Sequence, residues 1–167
     1  HRMSTLEVKG IQAPSGYNLT MPAGAVIQVV TNGAISDFST TAHRSWVASN
    51  TTLAITPKFS SSKVFVVICQ HVRLAGGSSH GQLRGGIRVV RGSTVVWNTA
   101  GDVESLQTRL SQSGNEIDVI LPASVLDSPA TTSATTYTLE FKKYDADTFY
   151  GFGSTKGTSI TLMEVAG

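Results

Sequence analysis

Ser159-Ile-Thr-Leu-Met-Glu-Val-Ala-Gly167 closes the chain, and its reading decides the fold. In an extended strand successive side chains point to opposite faces. Ile160, Leu162 and Glu164 then face one way, and Thr161, Met163 and Val165 the other. Apart from Glu164, both faces of its second half are apolar, which predicts cover on both sides. A chain that stops inside its own core reads as a terminal module, the compact tip of something longer. Lys63-Val-Phe-Val-Val-Ile-Cys-Gln-His-Val72 repeats the pattern. Apolar residues on both faces are unusual in antiparallel sheet and predict a central strand covered twice. A sandwich hides only one face of each sheet, so the other face needs a further layer. That layer is either a long loop, such as 99–114, or another copy of the chain in a closed ring.

Composition agrees with an all-β domain. The chain has 167 residues, 14% charged and 7% aromatic, with a formal net charge of +2. A single domain of this size buries roughly 70% of its unfolded surface, so no second core is required. Abundant Ser, Thr, Gly and Val favour strands and turns over helices. Lys and Arg form no run of the kind that nucleic-acid readers gather on one face. No apolar stretch is long enough to cross a bilayer as a helix, and no signal peptide is evident. His1-Arg2-Met3 reads as a tag remnant. The single Cys69 has no partner for an intrachain disulfide and is expected as a small buried hydrophobe.

Residues 1–20 read as an extended approach segment and 21–167 as one β-sandwich. Strands are expected at Ala25–Thr31, Asp37–Ser39, Arg44–Ala48, Thr51–Ile55, Lys63–Val72, Ile87–Arg91, Thr94–Trp97, Ile117–Leu121 and Thr136–Lys142, with a final strand from Ser159. Gly92-Ser93 between two apolar runs marks a two-residue hairpin with glycine first, as a type II′ turn prefers. Thr148–Phe152 is expected to neighbour Thr136–Lys142 across the turn at Asp145-Ala-Asp147. Val103, Leu106 and Leu110 have helical spacing, so 99–114 reads as a variable loop with one helical turn. Nine or ten short strands with turns between them predict an antiparallel β-sandwich or jelly roll.

Three stretches carry a resemblance. The first is Met21-Pro-Ala-Gly-Ala-Val-Ile-Gln-Val-Val30. The second is Leu53-Ala-Ile-Thr-Pro57 with Ser61-Ser-Lys-Val-Phe-Val66. The third is Leu126-Asp-Ser-Pro-Ala-Thr-Thr-Ser133 with Thr136-Tyr137 and Ser159–Glu164. In order and spacing they resemble the C-terminal domain of tail-fibre-like proteins of marine and cyanobacterial podoviruses. The resemblance implies a C1q/tumour-necrosis-factor-like protomer, a homotrimer, an upstream fibre shaft and an extracellular place on a virion. Its main functional implication is attachment to a host-surface glycan or protein. Two alternatives stand beside it: a structural head-fibre or decoration protein, and a glycan-degrading tailspike. The segments 34–44 and 76–114 match no part of the family pattern and are where a host-specific surface would differ.

Few residues point to catalysis. Ser78 and Ser79 precede His80, but sequence neighbours seldom form a triad, because the base must approach the nucleophile from another element. A glycosidase needs two carboxylates, one with a raised pKa. Asp118, Asp127, Asp145 and Asp147 read instead as turn and solvent carboxylates. Glu164, on the most buried-looking strand, needs a partner; Arg84, Arg88 and Arg91 are the candidates. His43, His71 and His80 are the conceivable metal ligands, with exposed loop histidines as the plainer reading. No enzyme activity, cofactor or metal is predicted. For glycan binding the pattern sought is an aromatic platform with polar loop groups. Trp46, Trp97, Asn98, His80, Arg84 and Tyr150 are the candidate ligand-binding residues, with Phe152, Arg73 and Arg109 nearby in character. For each tryptophan, packing in the core is the competing role.

Overall fold

A computed structural model describes residues 21–76, 82–98, 106–109, 116–144 and 146–167. Eleven strands occur among them. They are β1 (Val26–Thr31), β2 (Phe38–Thr40), β3 (Trp46–Ile55), β4 (Lys63–Ala75), β5 (Gln82–Arg91), β6 (Thr94–Asn98), β7 (Leu106–Arg109), β8 (Glu116–Asp127), β9 (Thr135–Lys143), β10 (Thr148–Gly151) and β11 (Ser159–Val165). All ladders between them are antiparallel.

β4 organises the first sheet. β8 pairs with one edge of it along nearly its whole length, from Val64↔Asp127 to Ala75↔Glu116. The other edge is shared end to end: β11 takes Lys63–Cys69 and β10 takes Val72–Ala75. β1 lies outside β11, and β2 outside β10. β5 organises the second sheet in the same way, with β9 on one edge and β6 and β7 end to end on the other; β3 lies outside β9. The four-strand runs are therefore β1-β11-β4-β8 and β3-β9-β5-β6. Along the chain the strands of these two runs switch sheet at every step except β5 to β6, and the last strand returns beside the first. This is the topology of a jelly roll, two Greek keys folded face to face, and it bears out the predicted fold class.

The alternation of β4 decides what is inside. Val64, Val66, Ile68, Val72 and Leu74 point inward and are buried against Tyr137, Leu139 and Phe141 of β9 and Ile87 and Val89 of β5. Gln70 is the polar exception on this inner face. Its carbonyl accepts from the Thr51 hydroxyl at 2.6 Å, and its amide donates to the Phe152 carbonyl at 3.0 Å and to Thr158 Oγ1 at 3.1 Å. It therefore pins β3 to the opposite sheet without leaving a buried polar atom unpaired. Lys143 is also buried, and its ammonium donates to the carbonyls of Ala146 and Asp147 at 2.8 and 3.1 Å.

Several expectations need correction. β10 does not pair with β9: the chain crosses between them to the other sheet, where β10 adds to β4 and β2. The segments read as Arg44–Ala48 and Thr51–Ile55 form one strand with an irregular register between Ala48 and Thr52. Leu106 lies in a strand on β5, not in a helical turn; Val103 and Leu110 lie outside the described residues. Cys69 faces outward on β4 and is half-buried. The hairpin at Gly92-Ser93 forms as expected, with Gly92 at φ +57°. Residues 1–20 lie outside the described part.

Asp127, read as a turn former, is instead the acceptor of a shielded pair. Arg91 Nε and the Tyr137 hydroxyl donate to its Oδ2 at 2.6 and 2.7 Å. Burial first, and then the neighbouring carboxylate, push the Tyr137 hydroxyl well above the ordinary phenol range. It stays a donor at any working pH. Tyr137→Phe removes that donor from a mostly buried carboxylate and should cost about 1–2 kcal/mol. Urea unfolding monitored by far-UV circular dichroism checks this; an unchanged midpoint would show that Arg91 alone satisfies Asp127.

Candidate functional site

The outer faces of the two sheets carry different chemistry. On the first sheet the register lines up Val29, Met163, Phe65 and Leu126 directly across β1, β11, β4 and β8. Val26 and Val165 form the neighbouring pair. Val26, Val29 and Leu126 are 52%, 54% and 51% exposed, and Ile120, further along β8, is 56% exposed. The result is an apolar band on a sheet face. Isolated exposed apolar residues are ordinary, but a contiguous band marks a contact surface.

The far end of that same face is charged and aromatic. Arg73 donates from Nε and Nη2 to Asp118 Oδ2 at 3.1 and 2.7 Å, and its Nη1 lies 3.4 Å from Glu116. His71 Nε2 meets the other Asp118 oxygen, and its Nδ1 lies 3.0 Å from the Lys156 carbonyl. The Arg73 guanidinium, and secondarily His71, hold the Asp118 carboxyl below its usual range against a smaller opposing effect of burial. The rings of Tyr150 and Phe152 lie nearly parallel, 6.4 Å apart. Arg73 and Lys156 approach Phe152 at 5.3 and 4.0 Å from its centroid, and Lys156 also reaches Asp37 at 3.1 Å. The backbone N–H of Gly153 and then Lys156 hold Asp37 below the ordinary carboxylate range. This cluster answers its own charges.

The second sheet presents Trp46 on its outer face, opposite Lys142 of β9. Arg88 of β5 lies with Cζ 4.5 Å from the indole centroid, and Lys142 Nζ lies 5.4 Å from it. Lys142 also sits 4.9 Å from the Tyr144 ring. Arg88 is held by one bond, from Nε to Glu140 at 2.6 Å. Its terminal nitrogens have no protein partner among the described residues. Arg84 and Asn98 project on the same side, since Leu83 and Trp97 beside them point inward.

The predicted ligand-binding residues are thus divided. Trp46, Asn98 and Arg84 share the outer face of the second sheet. Trp97 packs against the core and is removed from the candidates as a platform. Tyr150 lies on the other sheet, and His80 lies outside the described residues. Arg109 is placed on β7 by its backbone. Sequence reasoning missed Lys142 and Tyr144, and gave Arg88 the wrong partner. Residues 46, 88 and 142 meet only through strand register, for which no local signal exists.

Glu164 is likewise corrected. Fully buried, it accepts from the Gln28 amide at 2.5 Å and from the backbone N–H groups of Lys58 and Phe59 at 2.7 and 3.3 Å. Arg88 and Arg91 pair elsewhere, with Glu140 and Asp127. Burial pushes the Glu164 carboxyl up, but the hydrogen bonds it accepts, from Gln28 and the two N–H groups among them, outweigh it and bring the pKa below the usual value. It clamps a loop. Every described carboxylate with a displaced pKa is displaced downward, the opposite of what a general acid needs. No group of three or more metal-ligating side chains occurs among the described residues. His71 is engaged with Asp118, and His43 is exposed beside the bridge to Lys143.

No family model matches the chain, and no curated protein does. Solved structures of infectious bursal disease virus are similar in shape. The Gt strain aligns with a TM-score of 0.46 at 13% identity over 96% of this chain and 38% of that one. Particles of the T=1 type derived from the virus align at 0.45, with 14% identity over 96% of this chain and 36% of that one. The chain thus spans less than two-fifths of those proteins.

Proposed function

We propose that the chain is a structural module of a virus particle, of the head-fibre or decoration type, built from three copies packed through the outer face of β1-β11-β4-β8. The observation that carries the assembly is the apolar row Val29–Met163–Phe65–Leu126 with Val26 and Val165 beside it. No described residue forms a layer over it, and a second copy presents the same complementary surface at no added cost in sequence. The three-stretch resemblance to phage tail-fibre-like domains supports the virion setting and the threefold symmetry. The module acts without enzymatic chemistry.

Native mass by light scattering is the test. Three copies are expected. Val29→Glu with Leu126→Glu puts like charges into the contact and should give a folded single copy. A wild-type chain that stays single at high micromolar concentration overturns the assembly.

A second reading is favoured by Trp46 and its two cations: the module also serves as the distal receptor-binding domain of a tail fibre recognising a host-surface glycan. The face that carries Trp46 belongs to the sheet not used for assembly, so it stays open to solvent. Loss of host-cell adsorption on blocking that face supports this reading; unchanged adsorption removes it.

A further inference from the structure

We propose that the outer face of β3-β9-β5 is a binding site for an acidic saccharide, a pyranose chain bearing carboxylate, sulfate or phosphate groups. This deepens the attachment reading and rests on it, but it does not depend on the assembly. Three observations lead there. Charge is the first. Arg84, Arg88 and Lys142 project from this face, and among the described residues Glu140, paired with Arg88, is the acid on it. The opposite face balances Asp37, Glu116 and Asp118 with Lys156 and Arg73, so among the described residues this face is the more basic of the two and draws anions.

The second observation is the state of Arg88. Its Nε is committed to Glu140 at 2.6 Å, and its Cζ lies 4.5 Å from the Trp46 centroid. The guanidinium is therefore held in place by two contacts while its terminal nitrogens have no protein partner among the described residues. That is a preorganised fork, the geometry that binds a carboxylate or a phosphate-like group through two parallel bonds. The third is Trp46 itself. It is half-buried, so part of the indole meets solvent beside the fork. Sugar rings place an apolar C–H face on aromatic surfaces while their charged substituents seek donors at the side. A neutral saccharide would use the indole alone; an acidic one uses both.

The probe is oligogalacturonate, a carboxylated saccharide, titrated into the protein by calorimetry, with maltohexaose as the uncharged control. Oligogalacturonate should bind and maltohexaose should not, and raising the salt should weaken binding. Arg88→Gln and Trp46→Ala should each reduce affinity by about tenfold. Trp46→Phe keeps a ring and should lose only about threefold, which guards against a variant that merely misfolds. Lys156→Gln removes an equal charge from the turn between β10 and β11, away from this face, and should leave affinity within about twofold. Equal losses from Lys156→Gln and Arg88→Gln would reduce the effect to non-specific charge and overturn the site. So would absence of binding at about 10 mM ligand. Saccharide binding that survives while host cells are not bound sustains this site and removes the attachment reading instead.

Discussion

Glu164→Ala should lower the free energy of unfolding by about 3 kcal/mol, since it orphans several donors at once. The carboxylate is the common acceptor for the Gln28 amide and the N–H groups of Lys58 and Phe59. Gln28 also donates to the Thr56 carbonyl at 2.7 Å, so the clamp ties β1, β11 and the link that follows β3. Partial exposure of Gln28 and of the link lets water take over some of the lost bonds, which keeps the cost from rising higher. Glu164→Gln retains one acceptor oxygen and should cost about half as much.

The same residue sets a pH dependence. Its folded pKa lies below the ordinary 4.5. Above that ordinary value both the folded and the unfolded chain carry the ionised group, and the stabilisation is complete. As pH falls below 4.5 the unfolded chain takes up its proton first, and the stabilisation is lost as pH passes through the folded pKa. Urea midpoints measured across that window should fall with acidity in the wild type and less steeply in Glu164→Gln. Asp37 and Asp118 are shifted in the same direction, but both lie at the surface and remain in the variant, so a residual slope is expected. Parallel curves for the two proteins would show that the clamp draws nothing from the charge.

The legible part of this fold is the part determined locally. The period-2 alternation in β9 sets Tyr137, Leu139 and Phe141 on the inner side because neighbouring side chains alone decide it. The β5–β6 hairpin follows from a glycine that accepts positive φ. What stayed hidden depends on register between distant strands. β10 follows β9 after a short turn and looks like its hairpin partner, but Thr148, Phe149 and Tyr150 lie against Ala75, Leu74 and Arg73 of the other sheet. Lys143 makes that departure possible by capping the carbonyls of Ala146 and Asp147 from inside. Glu164 shows the same limit. An arginine partner was the natural expectation for a buried carboxylate, yet two backbone N–H groups and an amide do the work, and backbone donors leave no trace in composition. For the candidate site, Trp46 and Arg84 were visible as residue types, but the fork at Arg88 exists only because β9 places Glu140 directly across from it.

Gly151→Ala should destabilise the domain by about 3 kcal/mol, although it adds one methyl group at an ordinary backbone conformation. A Cβ at this position would lie 2.3 Å from Phe141 Cε2 and 2.6 Å from Cζ. Relief would require the Phe141 ring to move, and its surroundings oppose that. It stacks on Phe149 at 4.8 Å with planes 14° apart, and it meets Phe38 edge-on at 5.5 Å. Phe141 and Phe149 are fully buried, so no side of this stack opens to solvent. The glycine is therefore part of the packing between β10 and β9, which belong to opposite sheets. Phe141→Leu removes ring atoms from that contact and should cost about 2 kcal/mol alone through the space it leaves. Combined with Gly151→Ala, the new methyl fills part of that space. The double variant should then be less destabilised than the sum of the singles by about 1–2 kcal/mol, the mark of two residues sharing one volume. Thermal or urea unfolding of the three proteins measures this. Strict additivity would mean that the backbone of β10 shifts to relieve the clash, and the ring stack would lose its place as the joint between the sheets.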